Sequence, residues 1–284
     1  MTLGACLASC MKRLPALDSR LLISEACGVS EKDFLIRPDM ELTEAQLAKV
    51  EDFVQKRLSG QSVAYITGKK GFRYNEFFTP VGVLVPRPDT EILVESALEC
   101  SFSTSPVRIL DLCAGTGCVG ISTALELADK HPELEIELHL SDIDDTAYDC
   151  FTKNAETLIH NSRIRVFRYK GNLFEPLDGL KFDLILSNPP YIASSVIPTL
   201  QAEVLAEPVL ALDGGEDGLD VIRKIVSLAP EFLNRDGQLM MEIGYDQGSA
   251  LKQLLAARGY RNIRIIRDYG NNDRVAAADA PVAN

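Results

Sequence analysis

The chain has 284 residues, 46% of them apolar, with 29 basic against 41 acidic side chains and a net charge of −12. Such a chain can bury a large core, as one sizeable domain or two unequal ones. The acidity repels the phosphate backbone that supplies most non-specific nucleic-acid affinity, and no run approaches the ~18 apolar residues needed to span a bilayer.

Residues 1–62 read as helical throughout. Asp18 is placed to cap a helix ending at Gly28, and Thr43-x-x-Gln46 is a capping box before a helix whose Leu47, Val50, Val54 and Leu58 share one face, stopped by Gly60. These stripes predict a small bundle domain. From Val63 to Val85 aromatic and β-branched residues broken by glycine predict a strand pair, a β-hairpin linker over 63–86. Beyond Pro86 helix and strand alternate. Helix 90–99 precedes strand 107–112, helix 118–129, strand 135–141, helix 145–158 and strands 163–168 and 182–187. Helix 218–234, strand 237–243, helix 247–258 and a last strand at 261–267 follow. This pattern predicts an α/β fold, a mostly parallel sheet covered on both faces, with ligands beyond the carboxyl ends of its strands. The tail AAADAPVAN is of low complexity and is expected to fray.

The first strand of the alternation runs straight into Asp111-Leu112-Cys113-Ala114-Gly115-Thr116-Gly117, with Gly120 beyond. Glycines let the backbone turn sharply and approach a ligand, and the helix that follows begins with free amides. The G-x-G-x-x-G spacing fits a dinucleotide fold, and a tight turn without a ligand is the plain alternative. Asp111 suits an amino group better than a pyrophosphate. Asp142, at the end of the second strand, can accept both hydroxyls of a ribose. Asn172 and Leu173, after the third, could meet an adenine edge beside apolar cover. NAD and S-adenosylmethionine both contain adenosine, so these features leave both open.

The fourth strand, Phe182–Leu186, ends in Ser187-Asn188-Pro189-Pro190-Tyr191. Two prolines cannot join a ladder and freeze the backbone at the strand's edge. Asp111-x-x-x-Gly115-x-Gly117, the acid Asp142 and Asn188-Pro189-Pro190-Tyr191, in this order, resemble the S-adenosylmethionine-dependent amino-methyltransferases. The flanking text is closer to one branch. Ala64–Gly68, Val85–Glu91, Glu207-Pro208 with Ala211–Leu219, and Glu242-Ile243-Gly244 resemble the bacterial peptide chain release factor N5-glutamine methyltransferases, the HemK family, over about residues 60–275. Two positions depart: the family usually has glycine at Cys113 and aspartate at Asn172. Asp268–Val275 keeps only the outline of the family's ending.

The resemblance implies a Rossmann-like seven-stranded methyltransferase domain over 87–284, preceded by the helical domain, which would grip the substrate. It implies S-adenosylmethionine as cofactor, held by Asp111, Cys113, Ala114, Gly115, Thr116, Gly117, Asp142, Asn172, Leu173 and Asn188. Release factors would be the protein substrate. Asn188, Pro189, Pro190 and Tyr191 would bind and catalyse. An amide nitrogen is a poor nucleophile, and here the Asn188 oxygen and the Pro189 carbonyl would accept its hydrogens while Tyr191 lies against its plane. Such positioning can supply up to ~7–11 kcal/mol of a bimolecular barrier. Adenine N6 in nucleic acid presents the same conjugated –NH2, and a ribosomal-protein glutamine is a nearer rival; the net charge counts against nucleic acid as direct substrate.

Other features have plainer readings. His131, His139 and His160 lie away from this loop, and His139 reads as a satisfied strand residue. The acidic stretch Asp213–Asp220 lacks the alternating order of a calcium loop and reads as a turn capping the next helix. In Arg87-Pro88-Asp89-Thr90, Asp89 or Thr90 reads as an N-cap, and the resemblance implies that the segment also borders the active site. Arg163, Arg165, Arg168 and Lys170 read as a solvated edge, with a partner-binding patch as the alternative. The seven cysteines are scattered and never form a C-x-x-C pair, so no metal site is legible and a reduced, cytoplasmic chain is expected. The short apolar stretch at residues 3–11 precedes Lys12 and Arg13, the reverse of a secretory signal.

Overall fold

The computed structural model describes residues 1–103 and 105–282, and its contacts divide the chain into two compact units. The first holds Met1–Lys69 with Gln201–Ala206, the second Lys70–Leu200 with Glu207–Asn284. In the first, helices α1 (Leu3–Cys10), α2 (Ala16–Cys27), α3 (Asp33–Ile36), α4 (Glu44–Leu58) and α5 (Val63–Thr67) surround Leu3, Leu22, Ile23, Val50 and Val54. The capping box of α4 forms, with Thr43 and Gln46 each holding the other's backbone N–H. Asp18 is no cap: α2 starts at Ala16, and Asp18 in its first turn pairs with Arg57 at 2.7 Å. Val63–Thr67 is helical and not extended, because Ser62 caps its first turn and Gly68 ends it in the left-handed region.

The expected strand pair therefore starts later, as β1 (Lys69–Phe72) and β2 (Asn75–Phe78). Phe72 and Phe77 pack edge to face in the core of the second unit. Helix α6 (Glu91–Leu98) leads into β3 (Val107–Leu112), α7 (Cys118–Lys130), β4 (Ile136–Asp142), α8 (Asp145–Leu158), β5 (Ile164–Lys170) and β6 (Phe182–Ser187). After α9 (Ala202–Leu205) come α10 (Asp220–Leu228), β7 (Leu233–Glu242), α11 (Gly248–Ala257), β8 (Arg261–Arg267) and β9 (Asp273–Asp279). The seven-stranded sheet has the order β5-β4-β3-β6-β7-β9-β8, with β9 antiparallel to both neighbours. It is a Rossmann-like α/β fold. Alternate residues of each strand serve opposite layers: Ile109, Leu184 and Leu186 face one core, Leu110, Leu112 and Ile185 the other.

From β3 the chain moves outward to β4 and β5, then returns to start β6 on the other flank of β3. That reversal opens a crevice beyond the carboxyl ends of β3 and β6, the place where open α/β sheets take ligands. The topology thus brings together the glycine loop and Asn188, 71 or more residues apart in sequence.

The tail corrects the sequence reading. Residues 276–279 do not fray; they belong to β9, whose Val275–Ala278 are buried between β7 and β8. Alanine is a weak strand former, and its place here is set by packing, since α6 and α11 lie directly against the strand. Residues 283–284 lie outside the described residues. Helix α10 ends at Leu228 where a helix to residue 234 was expected, and β7 starts at Leu233, four residues before the expected strand, the ladder slipping between Phe182 and Leu184.

Candidate active site

Asp111 ends β3 almost wholly buried, and its Oδ2 accepts the Gly120 N–H at 2.8 Å. Burial pushes its carboxyl up to about 8, Asp142 adding to the rise and the Gly120 bond opposing it. The turn that follows places Cys113, Gly115 and Gly117 at φ of 61°, 56° and 74°. The glycines adopt this freely, whereas at Cys113 a side chain costs roughly 1–2 kcal/mol. Gly120 has another role: a Cβ there would lie 2.7 Å from Asp111 Cβ, so the residue lets α7 close onto β3.

Asp142 ends β4 with both oxygens engaged, Oδ2 by Gly115 N–H at 2.9 Å and Oδ1 by Asp144 N–H at 3.0 Å. Each oxygen retains acceptor capacity. Burial raises its carboxyl, and amides of Asp144, Gly115 and Ile143 oppose that. Asn172, beyond β5, is exposed and donates to Glu175 at 3.1 Å.

A single pocket is lined by Asp111, Cys113, Ala114, Gly115, Thr116, Asp142, Asn172, Leu173, Asn188 and Pro190. Gly117, Pro189 and Tyr191 are not on its wall. Gly117 is the N-cap of α7, packed so closely on Phe151 that a Cβ would come within 2.9 Å. Tyr191 turns its hydroxyl into the interior, donating to Glu242 Oε1 at 3.0 Å. Its backbone carbonyl accepts from Gln247 Nε2 at 2.9 Å. The frozen turn is thus anchored from behind, while Asn188 donates from Nδ2 to Thr90 Oγ1 at 3.3 Å. No other partner holds the Asn188 oxygen among the described residues.

Arg87 and Thr90 line the pocket, in the segment that the resemblance puts beside the active site. Thr90 does not cap α6, nor does Asp89, which pairs with Arg274 at 3.3 Å. Arg87 lines the pocket and pairs with the buried Glu207 at 2.7 Å. Val83, Leu84, Pro86, Leu210 and Val221 give apolar walls. The Asp213–Asp220 stretch backs the proline turn. Ile192 N–H bonds Leu212 O, Gly214 N–H bonds Ile192 O, and Asp213 accepts from Ser194 and Gly215. Any side chain on Gly218 would strike the Tyr191 carbonyl. No group of three or more metal-capable side chains occurs among the described residues. The basic run is consumed by partners: Arg163 bonds four carbonyls, Arg165 pairs with Glu137, Arg168 with Glu156 and Lys170 with Asp145. His139 is stacked on Phe167 and Tyr169 and bonds the Tyr169 hydroxyl through Nδ1, but its Nε2 has no partner among the described residues and burial lowers its pKa to about 4.

Residues 4–68 match the PrmC N-terminal domain and residues 89–216 the methyltransferase small domain. The hMettl16 catalytic domain in complex with an RNA hairpin is similar in fold, with a TM-score of 0.53 and 16% identity over 97% of this chain and 91% of that one. The methyltransferase small domain, on this sheet topology, defines a methyltransferase of the Rossmann-like class. The release factor glutamine methyltransferase of Moorella thermoacetica is 36% identical across 96% of this chain and 97% of that protein. That of Agrobacterium fabrum is 36% identical across 96% of each. The chain belongs to the release factor glutamine methyltransferase family.

Proposed function

We propose that this enzyme transfers a methyl group from S-adenosyl-L-methionine to the side-chain amide nitrogen, N5, of the glutamine in the GGQ motif of peptide chain release factors, modulating translation termination. The observation that carries the reading is the meeting of Asn188 with the glycine loop in one pocket of a chain that matches family members along nearly their whole length. When bound, the cofactor supplies an electrophilic methyl on a positively charged sulfur. The pocket's donor set fits that group. Asp111 is a buried acid with no cation partner among the described residues, which an ammonium would supply, and Asp142 has lone pairs left for two hydroxyls. Cys113, Ala114, Gly115, Thr116 and Leu173 supply close backbone and apolar cover, and the exposed Asn172 is within the same wall.

In this reading the Asn188 oxygen and the Pro189 carbonyl accept the two hydrogens of the glutamine amide, and Pro190 keeps their backbone from turning. Because Tyr191 is anchored on Glu242, it braces the turn through its hydroxyl. Incubation with methyl-labelled S-adenosylmethionine and release factors, a ribosomal protein and duplex DNA, followed by mass spectrometry, should find the label on a release factor glutamine. Label on the ribosomal protein or on adenine instead would overturn the substrate.

The helical domain over 1–62 is proposed to grip the release factor, with 63–86 as its linker. A chain lacking residues 1–60 is then expected to lose transfer to the intact factor while still binding cofactor by calorimetry. An undiminished rate would refute the assignment. Among the described residues no helix is long and apolar enough to cross a membrane, and the seven cysteines are free. Together with a translation factor as substrate, these facts support a cytoplasmic site of action.

A further inference from the structure

Gln247 is buried at the N-terminus of α11, and its side chain does not cap that helix. It turns back toward the proline turn instead. Nε2 donates to the Tyr191 carbonyl at 2.9 Å and to the Gly218 carbonyl at 3.2 Å, and Oε1 accepts the Gly244 N–H at 2.8 Å. Both hydrogens of this amide thus meet oxygens and its own oxygen meets a donor, so a half rotation would break all three bonds. The Gln247 N–H bonds the Gly244 carbonyl at 3.0 Å, which fixes the stem of the side chain. Gly218, at φ of 76°, comes so near that a Cβ there would strike the Tyr191 carbonyl and lie 2.8 Å from Gln247 Nε2. Three loops, after β6, before α10 and after β7, therefore meet on one buried carboxamide.

We propose that Gln247 is a positioning residue for methyl transfer: by holding the Tyr191 carbonyl it fixes the exit of the Asn188–Tyr191 turn, and with it the Pro189 carbonyl and the Asn188 side chain. The inference rests on the proposed function. Pro189 and Pro190 have no N–H, so the turn cannot hang from their amides. Their rings set φ, and each proline narrows ψ of the residue before it. The soft link is the one from Pro190 to Tyr191, which decides how the chain leaves the turn. Before the turn, Ser187 is locked between Leu112 and Met241 in the sheet. Beyond it, Ile192 is bonded to Leu212 and Gly214, and the Tyr191 carbonyl to Gln247. Gln247 is not on the pocket wall, so it acts through the turn and not on the reactants.

The test uses the full-length enzyme with Gln247→Glu and Gln247→Met, assayed well below their melting temperatures on whichever acceptor the wild type labels. Glutamate keeps the shape and the Gly244 bond but sets an acceptor against two carbonyl oxygens, and methionine keeps the length and loses all three bonds. Gln247→Glu is expected to lower kcat about 10–100-fold and Gln247→Met about 10-fold, with KM for the acceptor and cofactor Kd within about threefold of wild type. A glutamine that only stabilised the fold would lower the melting temperature and leave the kcat of the folded enzyme alone. A kcat within about twofold of wild type in either variant, or a loss confined to KM, would overturn the proposal.

A second readout needs no substrate. In 15N-labelled protein the Asn188 side-chain amide resonances should shift in both variants, because the turn that carries them has lost its rear anchor. Unmoved resonances would sink the anchor whatever the substrate is. A wild-type enzyme inactive on release factors, together with the expected shifts, would instead sink the substrate reading and support the anchor. Should Gln247→Glu fail to fold, the methionine variant decides.

Discussion

Replacing Asn188 by alanine is expected to lower methyl transfer by roughly 10²–10³-fold while the cofactor still binds. The lone pair of a carboxamide nitrogen is delocalised into its carbonyl, so attack builds positive charge on the nitrogen and its hydrogens. Acceptors already fixed at those hydrogens favour the transition state over the ground state, and this raises kcat more than it lowers KM. Asn188 is suited to this because β6 ends rigidly behind it, its nitrogen is held by Thr90, and its oxygen has no partner among the described residues. The pocket wall is spread over the loops after β3, β4 and β5, so losing one side chain at its edge is expected to leave most of the cofactor's contacts intact. Single-turnover rates and calorimetry separate the two effects. Abolished cofactor binding, or a rate within a few-fold of wild type, would remove Asn188 from the chemistry.

The parts of this fold that could be read in the sequence are those with strong local pattern. Strands 107–112, 182–187 and 261–267 and helix 145–158 have the expected bounds, since apolar runs or stripes there are bounded by Gly, Pro or Asp. β9 was illegible because alanine signals neither strand nor burial until two neighbouring strands and two helices enclose it. The helix Val63–Thr67 was hidden by β-branched residues that a Ser62 cap and Gly68 override. At the site, the glycine loop, Asp142 and Asn188 could be read because chemistry limits which residues suit a strand end. The inward turn of Tyr191 could not, for it depends on Glu242, 51 residues onward. Thr90 is a sharper case: an ordinary helix-start residue in sequence, it meets Asn188 across 98 residues. Hydrogen bonds over such separations are products of topology and leave no periodicity behind.

Asp111→Asn is expected to weaken the cofactor and to stabilise the cofactor-free protein, two effects of opposite sign from one buried charge. In the free enzyme Asp111 is pushed up to about 8 from an ordinary 3.8, chiefly by burial. Between those pH values the folded chain retains a proton that the unfolded chain has released. Wild-type stability therefore falls as pH rises through this window, by up to about 1.4 kcal/mol per pH unit from this group. Asparagine is neutral in both states and keeps an oxygen for the Gly120 N–H, so it has no such slope. The melting-temperature gain of the variant should be small near pH 4–5 and grow toward pH 8. A bound ammonium reverses the balance, because it favours the charged carboxylate. Replacing that partner should cost about 1.5–3 kcal/mol, a 10–100-fold rise in cofactor Kd. Wild-type affinity should strengthen from pH 6 to 8 with release of a proton, measurable by calorimetry in buffers of different ionisation enthalpy, and the variant should lack this trend. A pH-independent stability difference, or equal cofactor affinity in the two proteins, would show that Asp111 faces no cation and is merely the anchor of Gly120.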